Sequence, residues 1–569
     1  MRLIWGKVSH FVFAILCIVI VVTASYFSSL SAPFVWQDQT LIVNNEQIKH
    51  LEKWDELLTT TVQMDTVSQT FYRPLQMMTY MFDHMIWKDE PFGYHLTNLV
   101  LHCLAGVCLM ELLWLLTLNR WTAFFGALLF VSHPIHTEAV AYVSGRSDPL
   151  AAIFTFLTIG NYIYSCKMKN AFKSSVYALL GLIFFAVALL AKEHAVIVPL
   201  LMVLYHVAYK TKIRWAAIMP YFLVAATYIG LRVTGVFVSA IQLDSLSGVT
   251  LPERLPGFFV ALFSYIRLLI LPINLQSHYG QETFDFGDSQ SIAGMSIFIL
   301  MVILFFKQRR DYPLMSFAIG WFLLALLPVS NLVPIQSYMA EHWLYIPSVG
   351  YFILFGMFFG FLYRRIKQKW FVEIMFGILL VFQIVLTVQQ NRVWQDPVAL
   401  YTRMLNHNPS MAKGHVNLGT AYLRDGDLEK ALMHFGSAIK INPRYADAHN
   451  LLGEVYLRKG EYGKAYKSFL EAVNSRPQHL AGNTNVARML VHEQRLDEAQ
   501  ITLEKVLLLD PDYVPALYEL GRIHELMGRT QKAVRYYRQV LTLDPGHKES
   551  LQRLEALEEP IEPSPTPLP

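Results

Sequence analysis

Long apolar runs separated by short polar segments fill the first 390 residues of the chain. An α-helix needs about 20 apolar residues to cross a bilayer, so runs of this kind predict transmembrane helices. The pattern predicts about eleven spans, at approximately 10–30, 95–117, 121–136, 149–166, 174–190, 194–209, 213–232, 291–306, 312–330, 343–363 and 370–388. The first run is long for the core of a signal peptide, and we expect an uncleaved anchor.

The end of the chain follows a different pattern, with a fixed period of 34 residues. Small and aromatic residues recur with this period, and so do Pro409, Pro443, Pro477, Pro511 and Pro545. A Leu-Gly pair marks three of the units, and Val486-Ala487 replaces it in another. This period and these residues are typical of tetratricopeptide repeats, which are pairs of antiparallel helices. The sequence predicts four full repeats over 412–547, after a half repeat at 396–409 that joins the last span.

The fold class predicted from both patterns is all-α: a polytopic membrane bundle over 1–390, followed by a helical solenoid. Composition agrees, because 54% of the 569 residues are hydrophobic and only 16% are charged, against about 25% charged in soluble domains. The net charge of +4 is small, and no basic face suggests nucleic acid as a partner. The proline-rich segment 558–569 is expected to be disordered.

Basic residues in the short loops predict the orientation of the bundle. Clusters occur at Arg2/Lys7, Lys167/Lys169/Lys173, Lys210/Lys212/Arg214, Lys307/Arg309/Arg310 and Arg364/Arg365/Lys367/Lys369. The positive-inside rule places all of them on the cytoplasmic side if residues 256–273 do not span. That segment carries Arg267 in its middle, which costs about 3 kcal/mol or more inside a bilayer, so a re-entrant or interfacial element is expected.

This topology places five loops and the repeats on the outer side of the membrane. The loops are 31–94, 133–148, 191–194, 233–290 and 331–342. They carry ionisable residues at the membrane boundary, a pattern that indicates a polar functional cavity. The repeats would then lie in the periplasm of a bacterium, or in the lumen of the endoplasmic reticulum of a eukaryote.

Several motifs appear in chain order and resemble one known family. They are Phe34-Val35-Trp36-Gln37-Asp38-Gln39, Tyr72-Arg73-Pro74-Leu75, Tyr94 to His102, the histidine-rich run His133 to Val140 with Gly145 to Asp148, and Ala340 to Ser348. With the repeats, they resemble the transmembrane and tetratricopeptide repeat-containing O-mannosyltransferases over nearly the whole chain. The resemblance implies a type C glycosyltransferase fold and a polyprenyl-phosphate sugar as donor. It also implies serine or threonine of secreted or membrane proteins as acceptor, with mannose as the expected sugar.

Two positions depart from the pattern of that family. The family usually has two adjacent acids in the first outside loop, whereas Gln37 precedes Asp38 here. It also commonly has arginine after the late glutamate, where this chain has His342. The chain is shorter than the animal members, a size that would suit a bacterial relative.

Transfer from a glycosyl phosphate needs one base for the acceptor hydroxyl and cations for the departing phosphate. Asp38 is the predicted base, and its alternative is a solvated loop acid. Arg73 is the first candidate for the phosphate, because a guanidinium can bind it through two hydrogen bonds; the alternative is a structural salt bridge. Arg146 and Lys192 are further candidates, and either could instead be an interfacial cation.

The remaining candidates are histidines and a glutamate of the outside loops. His133 and His136 could contact phosphate or sugar, bind a metal or pack at a helix end. No metal is expected, because their spacing is not a standard zinc pattern and Arg146 would repel a cation. Glu341 could contact sugar hydroxyls or support Arg73, and His342 could supply a titrating cation. No cofactor is expected beyond the lipid-linked sugar.

The repeats predict a groove that binds an extended polypeptide. Asn417, Asn450 and Asn485 are the candidate ligands for its backbone, because a carboxamide both donates and accepts hydrogen bonds; alternatively they are exposed helix residues. The competing hypothesis is a non-enzymatic membrane scaffold whose repeats assemble secreted or envelope proteins. A transporter is disfavoured, because the polar residues are confined to one face of the bundle.

Overall fold

The computed structural model describes residues 8–59, 62–63, 70–234, 250–277, 279–280, 283–333, 335 and 337–558. These residues are helical or irregular apart from one antiparallel pair of two-residue strands, β1 (Val62–Gln63) and β2 (Thr70–Phe71). The chain divides into two compact units, Met1–Arg403 and Met404–Pro569. The all-α prediction is therefore confirmed. Arg2, Lys7 and the predicted proline-rich tail from residue 559 lie outside the described residues.

The first unit is built from apolar helices joined by short turns. Up to the middle of the unit they are α1 (Val8–Tyr26), α2 (Pro74–Trp87), α3 (Pro91–Thr117), α4 (Arg120–Ser132), α5 (Thr137–Val140), α6 (Ser147–Lys167), α7 (Ala171–Ala191), α8 (Val198–Ala208) and α9 (Trp215–Thr234). The others are α10 (Leu251–Ile270), α11 (Ser289–Gln308), α12 (Pro313–Ala325), α13 (Val349–Arg365), α14 (Lys369–Gln395) and the start of α15 (Pro397–His407). Short 3₁₀ turns lead into several of them.

Seven helical segments among the described residues are long and apolar enough to cross a membrane. They are His10–Ser31, Pro91–Thr117, Val143–Lys167, Ala171–Ala191, Trp215–Thr234, Ser289–Gln308 and Lys369–Gln395. Shorter apolar helices lie at Arg120–Ser132, Glu193–Ala208 and Pro313–Val329. A helix lies at each of the eleven predicted spans. Membrane crossing by the shorter ones stays a prediction.

Small residues bring α4 and α13 into close contact at the centre of the bundle. Gly356 and Gly360 of α13 face Thr122 and Gly126 of α4. A Cβ atom at Gly356 would lie 2.5 Å from the carbonyl oxygen of Thr122. Within a membrane, where water gives no hydrophobic driving force, such small residues permit the dense packing that holds helices together.

The segment around Arg267 forms α10, which is amphipathic rather than uniformly apolar. One face is buried, with Val260, Leu262 and Leu268 among its residues, while the side chain of Arg267 is exposed. The helix is not among the seven apolar segments. An amphipathic helix with an exposed arginine is typical of an interfacial position, which agrees with the interpretation of 256–273 from the sequence.

The second unit repeats a pair of helices of 13 and 14 residues. The pairs are α16 (Ala412–Arg424) with α17 (Leu428–Ile441), α18 (Ala446–Arg458) with α19 (Tyr462–Ser475), α20 (Leu480–His492) with α21 (Leu496–Leu509), and α22 (Val514–Leu526) with α23 (Thr530–Leu543). A final helix, α24 (Lys548–Glu558), packs on the last pair. Corresponding helices begin 34 residues apart, for example at Ala412 and Ala446, as the spacing of the prolines predicts.

A ring packed against a glycine joins the two helices in three of the four repeats. A Cβ atom at Gly453 would lie 2.5 Å from the ring of Phe469, and the same holds for Gly521 with Tyr537; Gly419 faces Phe435 in this way. The third repeat has Ala487 and Leu503 at these positions, both fully buried. The larger alanine is accommodated because leucine, which has no ring, replaces the aromatic residue.

The turn between the two helices of each repeat needs a left-handed residue. Gly426, Gly460 and Gly528 take φ of +81°, +75° and +71°, a conformation that glycine adopts without a steric penalty. The third repeat has Gln494 at this position, with φ of 62°. A non-glycine residue in this conformation is strained by about 1–2 kcal/mol.

Candidate active site

The loops predicted to face outward meet at one short segment, residues 138–148. The segment enters through α5, turns through the 3₁₀ helix Val143–Arg146 and continues into α6. Its turn is tight, because a Cβ atom at Gly145 would lie 2.3 Å from the carbonyl oxygen of Glu138. Four of its side chains bind residues of three other loops: Glu138 with His342, Ser144 with Asp38, Ser147 with Arg73, and Asp148 with Lys192.

Asp38 is fully buried and both of its carboxylate oxygens accept hydrogen bonds. Oδ1 accepts from the amide of Ser144 at 2.9 Å and from its hydroxyl at 2.5 Å, and Oδ2 accepts from the amide of Val35 at 3.1 Å. Burial raises the pKa of the Asp38 carboxyl to about 7, although these hydrogen bonds and the charge of Arg146 oppose the rise. The group therefore titrates near neutrality and fastens the first loop to residue 144.

Arg73 forms a paired contact with Glu193, which follows α7. Nε and Nη2 of the guanidinium lie 3.2 and 2.7 Å from the two carboxylate oxygens of Glu193, and Nη1 donates to the hydroxyl of Ser147 at 3.1 Å. The fork that would bind a phosphate is thus occupied by a carboxylate. Arg73 thus forms a salt bridge of the kind given as its alternative, and its contact with a phosphate stays a prediction.

Arg146 lies inside the protein and contacts residues of the two helices α2 and α3. Its side chain is 0% exposed, and its Nη1 lies 2.6 Å from the carboxylate of Asp83. It also donates to Asn98 at 2.6 Å and to the carbonyl oxygen of Tyr94 at 2.8 Å, and its guanidinium lies 4.6 Å from the centre of the Tyr80 ring. The structure therefore places this arginine in internal packing, and its predicted contact with the phosphate stays a prediction.

Lys192 is also buried, and its ammonium lies 2.7 and 2.8 Å from the two carboxylate oxygens of Asp148. Burial lowers the pKa of the ammonium, and the charge of Asp148 opposes this change. The pair connects the end of α7 to the start of α6 beside Arg73 and Glu193. The two ion pairs, Arg73 with Glu193 and Lys192 with Asp148, thus lie next to each other.

Two carboxylates, Glu138 and Glu341, lie close together on the other side of the segment. Glu138 accepts hydrogen bonds from the amide of His342 at 2.9 Å and from its Nδ1 at 2.7 Å. Glu341 accepts from Tyr279 at 2.6 Å and from the amide of Gln276. Burial and the neighbouring charge of Glu138 raise the pKa of Glu341 to about 8. One acid of the pair is thus held largely protonated at neutral pH.

The two histidines of the histidine-rich motif have different surroundings. His133 is buried, and its ring nitrogens lie 3.1 Å from the carbonyl oxygen of Leu269 and 3.2 Å from the amide of Ile135. His136 is buried among rings, including Phe130 and Tyr345. Neither nitrogen of His136 has a hydrogen-bond partner among the described residues. Both side chains pack where α4 ends.

Two of the three asparagines predicted to bind a polypeptide contact each other. The amide of Asn485 donates to Asn450 at 2.9 Å, and both side chains are buried. Asn417, in the first repeat, is half-buried. Arg488 continues the row, since it donates to Asn485 at 3.2 Å and lies 3.2 Å from Glu519.

Sequence reasoning missed three residues that complete this arrangement: Ser144, Glu193 and Tyr279. Glu193 stands in the short loop Lys192-Glu193-His194 and could have been chosen for its charge alone. Ser144 is one of many loop serines, and Tyr279 lies in a loop between two predicted helices, so neither carries a signal of its own. Their roles depend on contacts between residues 62 to 120 positions apart.

Comparisons with protein families identify the repeats. A model described as "TPR repeat" matches residues 419–460, and models described as "Tetratricopeptide repeat" match 446–479 and 514–547. Solved structures similar to the chain include MamA, which is 18% identical with a TM-score of 0.24 and covers 27% of this chain and 89% of its own. The protein TTC0263 of Thermus thermophilus is 19% identical with a TM-score of 0.26 and covers 32% of this chain and 93% of its own.

Curated relatives match about three quarters of the chain. "Protein O-mannosyl-transferase Tmtc3" of Drosophila melanogaster is 27% identical over 511 residues, covering 75% of this chain and 55% of the fly protein. "Protein O-mannosyl-transferase F38B6.6" of Caenorhabditis elegans is 25% identical, covering 73% and 61%. "Protein O-mannosyl-transferase TMTC4" of Mus musculus is 25% identical, covering 76% and 66%. The chain thus spans between about half and two thirds of these proteins.

The resemblance indicated by the motifs is confirmed by these matches: the chain is a predominantly helical, repeat-bearing protein similar to the TMTC protein O-mannosyl-transferases.

Proposed function

We propose that the chain is a membrane glycosyltransferase that moves a sugar, mannose, from a polyprenyl phosphate to serine or threonine of a protein. The observation that carries this proposal is the convergence of loop residues on segment 138–148, in a chain similar to protein O-mannosyl-transferases. Carboxylates with pKa values of about 7 and 8 lie next to that segment. Such values suit groups that exchange protons near neutral pH.

The reaction is an inverting single displacement. The acceptor hydroxyl loses its proton to a carboxylate, its oxygen bonds to the anomeric carbon, and the bond from that carbon to the phosphate oxygen breaks. Polyprenyl phosphate leaves as an anion, so no acid has to protonate it, and the reaction uses no metal or cofactor of its own. Asp38 is the base we assign, with the Ser144 hydroxyl giving up its short hydrogen bond when the acceptor hydroxyl arrives.

The acid pair on the other side of the segment suits the sugar. Glu341, largely protonated at neutral pH, can donate a hydrogen bond to a sugar hydroxyl, while Glu138 stays bound to His342. Arg73 and Lys192 are assigned to the phosphate end through their charges, although their donors pair with Glu193 and Asp148 in this conformation. The repeats supply no reactive group and are assigned to the polypeptide acceptor, along the row that contains Asn450 and Asn485.

A non-enzymatic repeat scaffold is the second candidate, and one observation favours it. Arg73, Arg146 and Lys192 all pair with protein carboxylates, and Gln37 departs from the two adjacent acids that the resemblance implies. A scaffold needs the repeats and the anchor but no titrating carboxylate. It gives no reason for an aspartate to be buried at a cost in free energy at the membrane boundary.

Mass spectrometry of secreted proteins separates the two candidates. Cells with and without the protein are compared for hexose on serine and threonine, and a third strain carries Asp38→Asn. The enzyme proposal expects hexose to be lost in both altered strains, while the repeats remain present and folded. Unchanged glycosylation without the protein would leave only the scaffold.

The orientation required by the proposal is tested separately. Ser410→Cys lies at the start of the repeats, and its thiol should react with an impermeant reagent in intact spheroplasts or in sealed right-side-out vesicles. Protection until the membrane is opened would place the repeats on the cytoplasmic side and contradict the proposed topology.

A further inference from the structure

A second buried arginine, Arg232, differs from Arg146 because two of its nitrogens have no hydrogen-bond partner in the described part of the chain. Arg232 lies in the last turn of α9, and its side chain is 9% exposed. Its Nε and Nη1 are buried and have no hydrogen-bond partner among the residues that the structure describes. An arginine is always charged, and burying unpaired donors of this kind is costly. Within the described ranges no group accepts a hydrogen bond from these two donors, which points to a ligand.

Tyr228, one helical turn earlier on α9, presents a matching unpaired group. Its hydroxyl is buried and has no hydrogen-bond partner in the described part of the chain. Residues four apart on a helix lie on the same face, about 6 Å from each other. The hydroxyl lies in the electrostatic field of Glu193, Arg232 and Arg73. Two unpaired donor groups thus share one helix face beside the active-site cluster.

The surrounding charges leave an excess of one cation. Arg73 and Lys192 are balanced by Glu193 and Asp148, whereas Arg232 has no carboxylate partner in any described ion pair. The guanidinium of Arg232 lies 5.2 Å from the centre of the Tyr72 ring, and that ring is held by a hydrogen bond from its hydroxyl to the carbonyl oxygen of Leu58 at 2.9 Å. The arginine is therefore supported from one side by the ring, while Nε and Nη1 have no acceptor in the part of the chain that the structure describes.

We propose that Arg232 and Tyr228 form a binding site for a phosphate group. A guanidinium N–H donates a charged hydrogen bond to a phosphate oxygen, and a tyrosine hydroxyl can donate to another oxygen of the same group. A neutral ligand would leave the charge uncompensated. Resting on the proposed function, the phosphate is that of the polyprenyl donor and of the departing polyprenyl phosphate; free inorganic phosphate is the other source of the same chemistry.

Binding to the purified full-length protein in detergent tests the site without any transfer reaction. The probes are a polyprenyl monophosphate, the corresponding uncharged polyprenol, and inorganic phosphate, each titrated while the melting temperature is followed. The wild type should be stabilised by the polyprenyl phosphate and not by the polyprenol. Arg232→Gln should weaken binding roughly 10- to 100-fold, as expected for charged hydrogen bonds. Tyr228→Phe should weaken it by a smaller factor.

The matched control is Arg267→Gln, which removes an exposed arginine at the surface of α10 and should leave binding unchanged. Without ligand, Arg232→Gln should melt at the same temperature as the wild type or higher, because it removes an unpaired buried charge. A lower melting temperature without ligand would show a structural arginine and overturn the proposal. So would equal binding of polyprenyl phosphate by Arg232→Gln and the wild type.

The outcomes distinguish this inference from the proposed function. If the wild type transfers sugar and Arg232→Gln binds polyprenyl phosphate as tightly as the wild type, the site is refuted and the enzyme proposal stands. Arg232-dependent binding in a protein that transfers no sugar would support the site and refute the enzyme. Equal Arg232-dependent affinity for inorganic phosphate and polyprenyl phosphate would overturn the lipid-linked source and support a free phosphate site.

Discussion

The Ser144 hydroxyl opposes the rise that burial causes in the pKa of Asp38, and its removal gives the sharpest test of the assigned base. Its oxygen lies 2.5 Å from Oδ1 of Asp38, and it donates one of the three hydrogen bonds that favour the charged carboxylate. Ser144→Ala removes this donor and leaves the two backbone donors in place. The ionised form of Asp38 is then less stable, so its pKa rises further above its ordinary value.

The size of the change follows from the hydrogen bond. A hydrogen bond to a charged group contributes about 1.5–3 kcal/mol, and one pKa unit corresponds to about 1.4 kcal/mol. The pKa of Asp38 should therefore move from about 7 upward by roughly 1–2 units in Ser144→Ala. A base works only when deprotonated, so activity rises with pH through this pKa. The variant should lose most activity at pH 7 and recover it in alkaline buffer.

The assay is transfer of mannose from a polyprenyl phosphate donor to a serine- or threonine-containing acceptor, with kcat/KM measured across the pH range. Ser147→Ala is the matched control, since the Ser147 hydroxyl contacts Arg73 rather than Asp38. In this variant kcat/KM should rise with pH over the same acidic range as in the wild type. Asp38→Asn should reduce transfer by about a hundred- to ten-thousand-fold at every pH. If kcat/KM of Ser144→Ala rises with pH over the same range as in the wild type, Asp38 is not the titrating base.

Stability separates loss of a base from loss of folding. The pKa of Asp38 is higher in the folded chain than its ordinary value of 3.8, so the folded protein binds this proton more tightly. Its contribution to stability is therefore favourable in acid and is lost as pH rises toward 7. Asp38→Asn cannot ionise and should melt at pH 8 no earlier than the wild type. A much lower melting temperature there would identify Asp38 as a structural acid.

Further changes test the fold of the bundle and the role of the repeats, residues 412–547, which are called the arm below. Arg146→Ala leaves Asp83 buried without its cation and should destabilise the bundle by about 3–5 kcal/mol, seen as loss of monodisperse protein in detergent; a stable variant would contradict the internal pairing. Gln494→Gly relieves the left-handed strain in the third repeat and should stabilise the arm by about 0.5–1 kcal/mol in urea unfolding, whereas Gly460→Ala should destabilise it. Deletion of 412–569 should preserve polyprenyl phosphate binding and abolish transfer to protein, and undiminished transfer would remove the role assigned to the repeats. Gln37→Asp should raise activity if a second acid assists Asp38, and a lower rate would show that glutamine is required.

Periodic features of the sequence predicted the fold well. The 34-residue spacing of Pro409 and Pro443 marks the helix starts at Ala412 and Ala446 because each repeat is built from neighbouring residues. The apolar runs locate the helices of the bundle for the same reason. The number of helices that cross the membrane is harder to predict. A short helix such as α4, with 13 residues, does not show by its length whether it spans the bilayer.

The site was less predictable, because the charge of a residue does not show which other residue it pairs with in the fold. Arg146 and Arg232 are both single arginines near the end of an apolar run. One is surrounded by Asp83, Asn98 and Tyr94, and the other lacks a hydrogen-bond partner among the described residues. That difference arises from contacts between distant parts of the chain. Asp38 was found through its motif, while its burial and its bond to Ser144 needed the structure.

The contact between the ring and the glycine determines which structural unit could be exchanged between repeats of the arm. In three repeats a small residue on the first helix matches a ring on the second, and in the third repeat Ala487 matches Leu503. Moving α20 alone into another repeat would drive the alanine Cβ into an aromatic ring, and moving α21 alone would leave a void beside a glycine. The helical pair, and not the single helix, is therefore the modular part from which longer or shorter arms can be assembled.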